Sequence, residues 1–230
     1  MYQIMNGTGR ASASKESNGH SPKVFIVDSD GESAKFVTDL AHSRRLAAEH
    51  FSSAEEFWER LDERASGCAV IELDLPGMSG IQLQERMSAA GIQLPVIVTA
   101  AEADTAVAVR AMKLGAADLL QKPCHPLELW EAIQTAIERD RVQRREASIR
   151  SGIRGRLQTL TAQEQTVMQM VLAGKPNKSI AQALDLSIRS IDFRRASILR
   201  KMQASSLVDL IQMVMLDRHT VQGSMVPSEM

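Results

Sequence analysis

Residues Leu160–Met202 read LTAQEQTVMQMVLAGKPNKSIAQALDLSIRSIDFRRASILRKM, three helical patterns separated by short breaks. Thr161 and Glu164 form a T-x-x-E capping box ahead of apolar Val167, Met168, Met170, Val171 and Leu172. Gly174 suits a left-handed helix end, and Pro176 cannot continue that helix. Asn177 is expected to cap a short second helix with Ile180, Ala181 and Leu184 inward. Ser187 is expected to cap a third, with Ile191, Ile198, Leu199 and Met202 on one side. Two helices joined by a tight turn, the second bearing exposed Arg, is the helix-turn-helix plan for a DNA major groove. The same spacing also fits an ordinary three-helix core.

The particular residues narrow the choice. LTxxExxV, AGKPNKxIA, LxxSxRSIxxxR and KMxAxSL occur in order over roughly 60 residues and resemble the C-terminal domain of NarL/FixJ-type, LuxR-class bacterial response regulators. That resemblance implies a four-helix, all-α domain that binds double-stranded DNA as a homodimer and meets RNA polymerase.

A wheel drawn at 100° per residue from Ile191 sorts the third helix. Arg189, Asp192, Phe193, Ser197 and Arg200 fall on the side away from the apolar stripe. Asp192 could accept a bond from a base amino group, and Phe193 could touch a thymine methyl. Asn177, Lys178, Arg189, Ser190 and Lys201 are expected at phosphates, and Arg194 and Arg200 complete the DNA-facing set. Arg195 turns inward by the same wheel, and a buried guanidinium needs a partner. Glu164 is the expected one, making the two a structural pair rather than a contact to DNA.

Upstream, short apolar strands alternate with helical stretches: KVFIVD (23–28), a strand ending at Phe51, CAVIEL (68–73), LPVIVTA (94–100) and ADLLQKP (117–123). Strands that are apolar throughout predict a doubly wound α/β parallel sheet covered on both faces. Ligand chemistry in such a fold belongs at the strands' C-terminal ends. SAEEF, PGMSG, LPVIV and AMKLGAADLLQKP resemble the (β/α)5 receiver domain of the same regulators.

The resemblance also implies a pocket: two acids after the first strand for Mg²⁺, a phosphoryl-accepting Asp after the third, a Thr after the fourth and a Lys after the fifth. Counting back four from Pro76 puts Glu72 at the acceptor position and Asp74 where a backbone carbonyl would meet the metal. The acid pair is Asp28 and Ser29, Ala100 replaces the Thr, and Leu119 replaces an aromatic. Only Asp28 and Lys122 match. These departures imply a pseudo-receiver with a weakened Mg²⁺ site, no metal and no cofactor, and regulation by something other than aspartyl phosphate. Glu72 can reach Lys122 and either imitate a phosphorylated Asp in part or simply form an ion pair.

The expected organisation is a disordered N-terminal tail (1–21), a receiver-like domain (22–138), a helical linker (139–156), a DNA-binding domain (157–218) and a C-terminal tail (219–230). The charge distribution fits it. The net charge of −1 over 230 residues divides into −6 for residues 1–149, with 16 basic and 22 acidic side chains, +6 for residues 150–218, with 11 and 5, and −1 from Glu229. Cys68 and Cys124 lack a C-x-x-C spacing and read as small buried hydrophobes in a cytoplasmic chain. No apolar run reaches membrane-span length, so no membrane partner is expected.

Dimerisation has two candidate surfaces. One is the terminal helix, with Leu207, Leu210, Ile211, Val214 and Met215. The other is the receiver face near Ala111, Leu114 and Leu119–Trp130. No nucleophile–base pair or metal-ligand cluster points to an enzyme. The reading is therefore a transcription regulator of the two-component type. One alternative is a conventional phosphorelay regulator, modified at Asp74 or Glu72 by a histidine kinase. The other is an interaction module for an unknown regulatory protein, with a vestigial DNA-binding domain.

Overall fold

The computed structural model describes residues 21–62, 64–102 and 105–218. The two expected tails lie outside the described residues, Ser21 apart. The chain divides into two compact units, 1–142 and 143–230.

The first unit carries β1 (Lys23–Val27), α1 (Gly31–Ser43), β2 (Ala47–Phe51), α2 (Ala54–Arg60), β3 (Gly67–Glu72), α3 (Gly80–Ala89), β4 (Val96–Ala100), α4 (Thr105–Lys113) and β5 (Asp118–Gln121). Then comes α5 (Pro126–Gln158), within which the boundary between the units falls. All strand pairs are parallel, in the order β2-β1-β3-β4-β5. Val27 lies opposite both Phe51 and Ile71, Glu72 opposite Thr99, and Ala100 opposite Gln121. The order reverses beside β1, so a crevice opens at the C-terminal ends of β1 and β3.

Alternation along the strands feeds two cores. Phe25, Val27, Ala69, Ile71, Val98 and Ala100 join Phe57, Leu83 and Met87 on one face. Val24, Ile26, Cys68, Val70 and Ile97 join Val37, Leu129 and Ile133 on the other. Phe57 meets Phe25 and Phe51 edge-on, with ring centres 6.0 and 5.2 Å away. Burial, with the Asp140 charge nearby, pushes the Cys68 thiol up to about 12, so it packs as an uncharged hydrophobe.

Asp140 of α5 is 3% exposed and accepts the Gly67 N–H and the Ser66 hydroxyl, each at 2.9 Å. This buried carboxylate ties α5 to the start of β3. Gly67 fits there because its φ is +124° and a Cβ would stand 1.9 Å from the Lys23 carbonyl oxygen.

The second unit adds α6 (Ala162–Leu172), α7 (Asn177–Ala183), α8 (Ile188–Met202) and α9 (Leu207–Arg218) around Ile153, Leu160, Val167, Ile180, Ile191, Ile198, Met202 and Leu210. The capping box at Thr161 is complete: its hydroxyl takes the Glu164 N–H at 3.2 Å and Glu164 takes the Thr161 N–H at 2.8 Å. Gly174, at φ +73°, ends α6 while Lys175 N–H returns to the Met170 carbonyl, a Schellman closure. Ser187 caps α8 through the Ser190 N–H at 3.1 Å.

One expected cap is corrected. Pro176, not Asn177, is the N-cap of α7, with no side-chain cap bond. Asn177 is already the first helical residue, and its amide is used elsewhere.

Gly67→Ala should destabilise the first unit by about 3 kcal/mol, because the backbone must move and the Asp140 bonds go with it. Both tryptophans, Trp58 and Trp130, lie in this unit, so their fluorescence in a urea titration reads its transition. A wild-type midpoint would contradict the assignment.

Candidate functional site

Two sites emerge, one in each unit. At the sheet's C-terminal edge, Asp28 follows β1, Glu72 ends β3 and Lys122 follows β5. The Lys122 ammonium donates to Asp28 Oδ2 at 2.8 Å and to Glu72 Oε1 at 2.7 Å. Glu72 Oε2 accepts the Ser29 hydroxyl at 3.0 Å and the Ser29 N–H at 3.2 Å. Asp28 Oδ2 also accepts the Ser33 hydroxyl at 2.7 Å, its Oδ1 accepts the Asp30 N–H at 2.9 Å, and its carbonyl bonds the His50 Nε2 at 2.9 Å. All four carboxylate oxygens of Asp28 and Glu72 are therefore engaged.

The side chains of Lys122, Asp28 and Glu72 are 17%, 5% and 15% exposed. Burial disfavours the Lys122 charge, but the bonds and charges of Asp28 and Glu72 outweigh it and raise its pKa above the ordinary lysine value. Ala100 is buried in the core, Leu119 is half-buried, and Asp74 is exposed. Thr99 turns to the opposite face of the sheet from Ala100, as strand alternation requires.

The second site is a groove of about 610 Å³ between the starts of α6 and α8. It is lined by Thr161, Gln163, Glu164, Ser187, Arg189, Ser190, Phe193, Arg194 and Ser197. Phe193 is 74% exposed, while Lys178, Arg189 and Arg200 are exposed and form no ion pair among the described residues.

Other predicted contacts are committed within the unit. The expected Glu164–Arg195 pair is not formed. Arg195 lies inward against Met168, Ile198 and Leu210, and its guanidinium donates to Asn177 Oδ1. Asn177 in turn donates to Asp192 Oδ1 at 2.6 Å. Glu164, 8% exposed, instead receives Lys201 Nζ at 2.6 Å and the Ser197 hydroxyl at 2.8 Å. Lys201 and Ser197 thus serve the interior, against their assignment to DNA. They are one helical turn apart on α8 and reach the start of α6 together.

Arg194 bonds Gln163 Oε1 at 2.6 Å, and the Ser190 hydroxyl lies 2.8 Å from the Ser187 hydroxyl in the α8 cap. Thr161 and Gln163 were absent from the sequence-derived set; a capping box whose open helix end faces the second element of the groove was the available signal.

Comparison with known proteins agrees with both halves. Residues 24–134 match the response regulator receiver domain, and residues 158–214 match the bacterial regulatory proteins of the luxR family. Nodulation protein W of Bradyrhizobium diazoefficiens is 35% identical over 190 residues, covering 83% of this chain and 84% of that protein. Transcriptional regulatory protein FixJ of Rhizobium meliloti is 36% identical over 192 residues, covering 84% and 94%. The solved structure of the response regulator StyR aligns with a TM-score of 0.79 at 32% identity, covering 85% of this chain and 99% of that one.

Glu164 supplies a pH test. The Lys201 hydrogen bond first, then the Thr161 N–H, hold its carboxyl down to about 2 from 4.5, with burial opposing and Ser197 assisting. A pKa lowered on folding gives stability that is complete above about pH 4.5 and is lost as pH falls toward 2. Lys201→Met should move acid unfolding of the second unit to higher pH, whereas Arg195→Ala should leave that acid limb in place. The methyl resonances of Ile191 and Ile198 followed against pH would register it. Equal shifts in the two variants would contradict the Lys201 assignment.

Proposed function

This chain belongs to the response-regulator family in which a receiver domain precedes a LuxR-type DNA-binding domain, and from that premise we propose a sequence-specific transcription regulator whose receiver is set by an internal ion cluster in place of aspartyl phosphate. The observation that carries this reading is the Lys122 ammonium shared between Asp28 and Glu72. In a phosphorylated receiver of this family, that lysine would meet a phosphoryl oxygen. Here Glu72, one methylene longer than Asp, brings its own anionic oxygen to the ammonium.

The Mg²⁺ that the family implies does not fit this donor set. A hard dication needs free anionic oxygens, usually from one or two carboxylates. Here both carboxylates are bound to Lys122, and Ser29 offers a neutral hydroxyl already donated to Glu72. Ala100 removes the hydroxyl that would sense a phosphoryl group.

On the DNA side, Lys178, Arg189 and Arg200 are the proposed phosphate contacts, and Phe193 with Asp192 the base readers. Asn177 holds one Asp192 oxygen, which fixes its rotamer and leaves the other oxygen for a base amino group. Exposed Val208, Met215 and Leu216 on α9 support a homodimer through that helix.

Incubation with acetyl phosphate and Mg²⁺ should leave the intact mass unchanged. A gain of one phosphoryl group, abolished by Glu72→Gln or Asp74→Asn, would overturn the reading of the pocket.

Binding titrations on cognate and random duplexes at several salt concentrations test the other half. Phe193→Ala should lower discrimination by about 1–3 kcal/mol at one base pair. Lys178→Ala should weaken all sequences alike and reduce the salt slope by about 1. Asp192→Ala should keep affinity for random DNA while losing discrimination. An unchanged cognate-to-random ratio in both Phe193→Ala and Asp192→Ala would contradict this readout face.

A further inference from the structure

Beside the ion cluster the receiver has a further cavity. A cleft of about 480 Å³ lies between α1 and the segment after β5. Phe36 and Val37 form one wall, Pro123 and Cys124 the other, and Thr99 of β4 is among its lining residues. This volume falls within the range of small-molecule sites.

Two observations point to a ligand. Thr99 is 2% exposed, yet its hydroxyl has no hydrogen-bond partner among the described residues. A valine would fill the same space without an unmet polar group, so this hydroxyl carries a cost that a partner in the cleft would remove. Charge is the other. Asp30 and Glu32 line the cleft, while its cation, Lys122, is committed to Asp28 and Glu72. Among the described residues, no side chain on the lining is free to neutralise an anion. Burial also raises the Cys124 pKa, which keeps that wall an uncharged thiol.

We propose that this cleft binds a small organic amphiphile, neutral or cationic, with an apolar ring or chain against Phe36, Val37 and Pro123 and one hydrogen-bonding group on the Thr99 hydroxyl. The proposal rests on the reading of the locked pocket in one respect, that Lys122 stays with its two carboxylates. Because Lys122 and Pro123 line the cleft, its occupant would touch the ion cluster from the α1 side of the sheet, where no phosphate is required.

The test titrates the full-length, isotope-labelled chain with benzyl alcohol, benzylamine and benzoate while amide resonances are followed. Benzyl alcohol and benzylamine should shift Val37, Thr99 and Cys124 saturably, with benzoate at least roughly tenfold weaker because the rim is anionic. Thr99→Val should weaken benzyl alcohol roughly fivefold, the loss of one neutral hydrogen bond. Cys124→Phe, which fills the cleft, should abolish the shifts. Absent shifts, benzoate binding as well as the others, or an unchanged affinity in Thr99→Val would each overturn the proposal. The two readings fail separately. Phosphoryl uptake by the wild-type chain would sink the locked pocket and leave the cleft shifts in place, whereas missing shifts in a chain that takes up no phosphoryl group would sink the cleft alone.

Discussion

Two carboxylates and one ammonium, all largely shielded from water, meet at the C-terminal edge of the receiver's sheet. Asp28 and Glu72 would repel one another if left alone in this crevice. Lys122 lies within 2.8 Å of both and makes the pair tolerable. The sheet order makes this possible: β1 and β3 are neighbours where the order reverses, and Lys122, which follows edge strand β5, reaches past the end of β4 to meet both carboxylates. Ser29 completes the arrangement by occupying the second Glu72 oxygen with its hydroxyl and its N–H.

The DNA-binding unit repeats the theme of a charge used inward. Glu164 closes the α6 capping box and, on its other side, gathers Lys201 and Ser197 from α8. Arg195, Asn177 and Asp192 form a second chain of bonds that links α7 to the start of α8. Together these fix the angle at which α8 presents Phe193 and Arg189. Several polar residues near the groove therefore hold α8 in place, and fewer of its side chains are free to meet a partner than the sequence suggests.

Most of the fold was legible because its signals are local. Apolar runs such as Val96–Ala100, the box at Thr161 and the Gly174 closure each act over a few residues. The pocket was legible for a related reason: short anchors such as Pro76 and Pro95 fix the register of the strand ends. The partner of Glu164 was not. A helical wheel gives azimuth but discards height along the axis, so it found Arg195 inward yet could not tell that α6 begins beside the later turns of α8, where Lys201 lies. The Asp140 tie to Gly67 was equally hidden, since its partners are 73 and 74 residues apart and carry no pattern. The unpartnered Thr99 hydroxyl likewise needed the whole sheet before its burial could be seen.

The proposed hold of Lys122 on both carboxylates against Mg²⁺ is tested most directly by a Mg²⁺ titration followed by calorimetry. The wild-type chain should give no saturable heat at millimolar Mg²⁺, and Ser29→Asp combined with Glu72→Asp should restore saturable binding by returning free carboxylates of the right length. Saturable millimolar binding by the wild-type chain, with the Asp28 and Glu72 resonances moving together, would show that the lysine yields to the metal and would contradict the account.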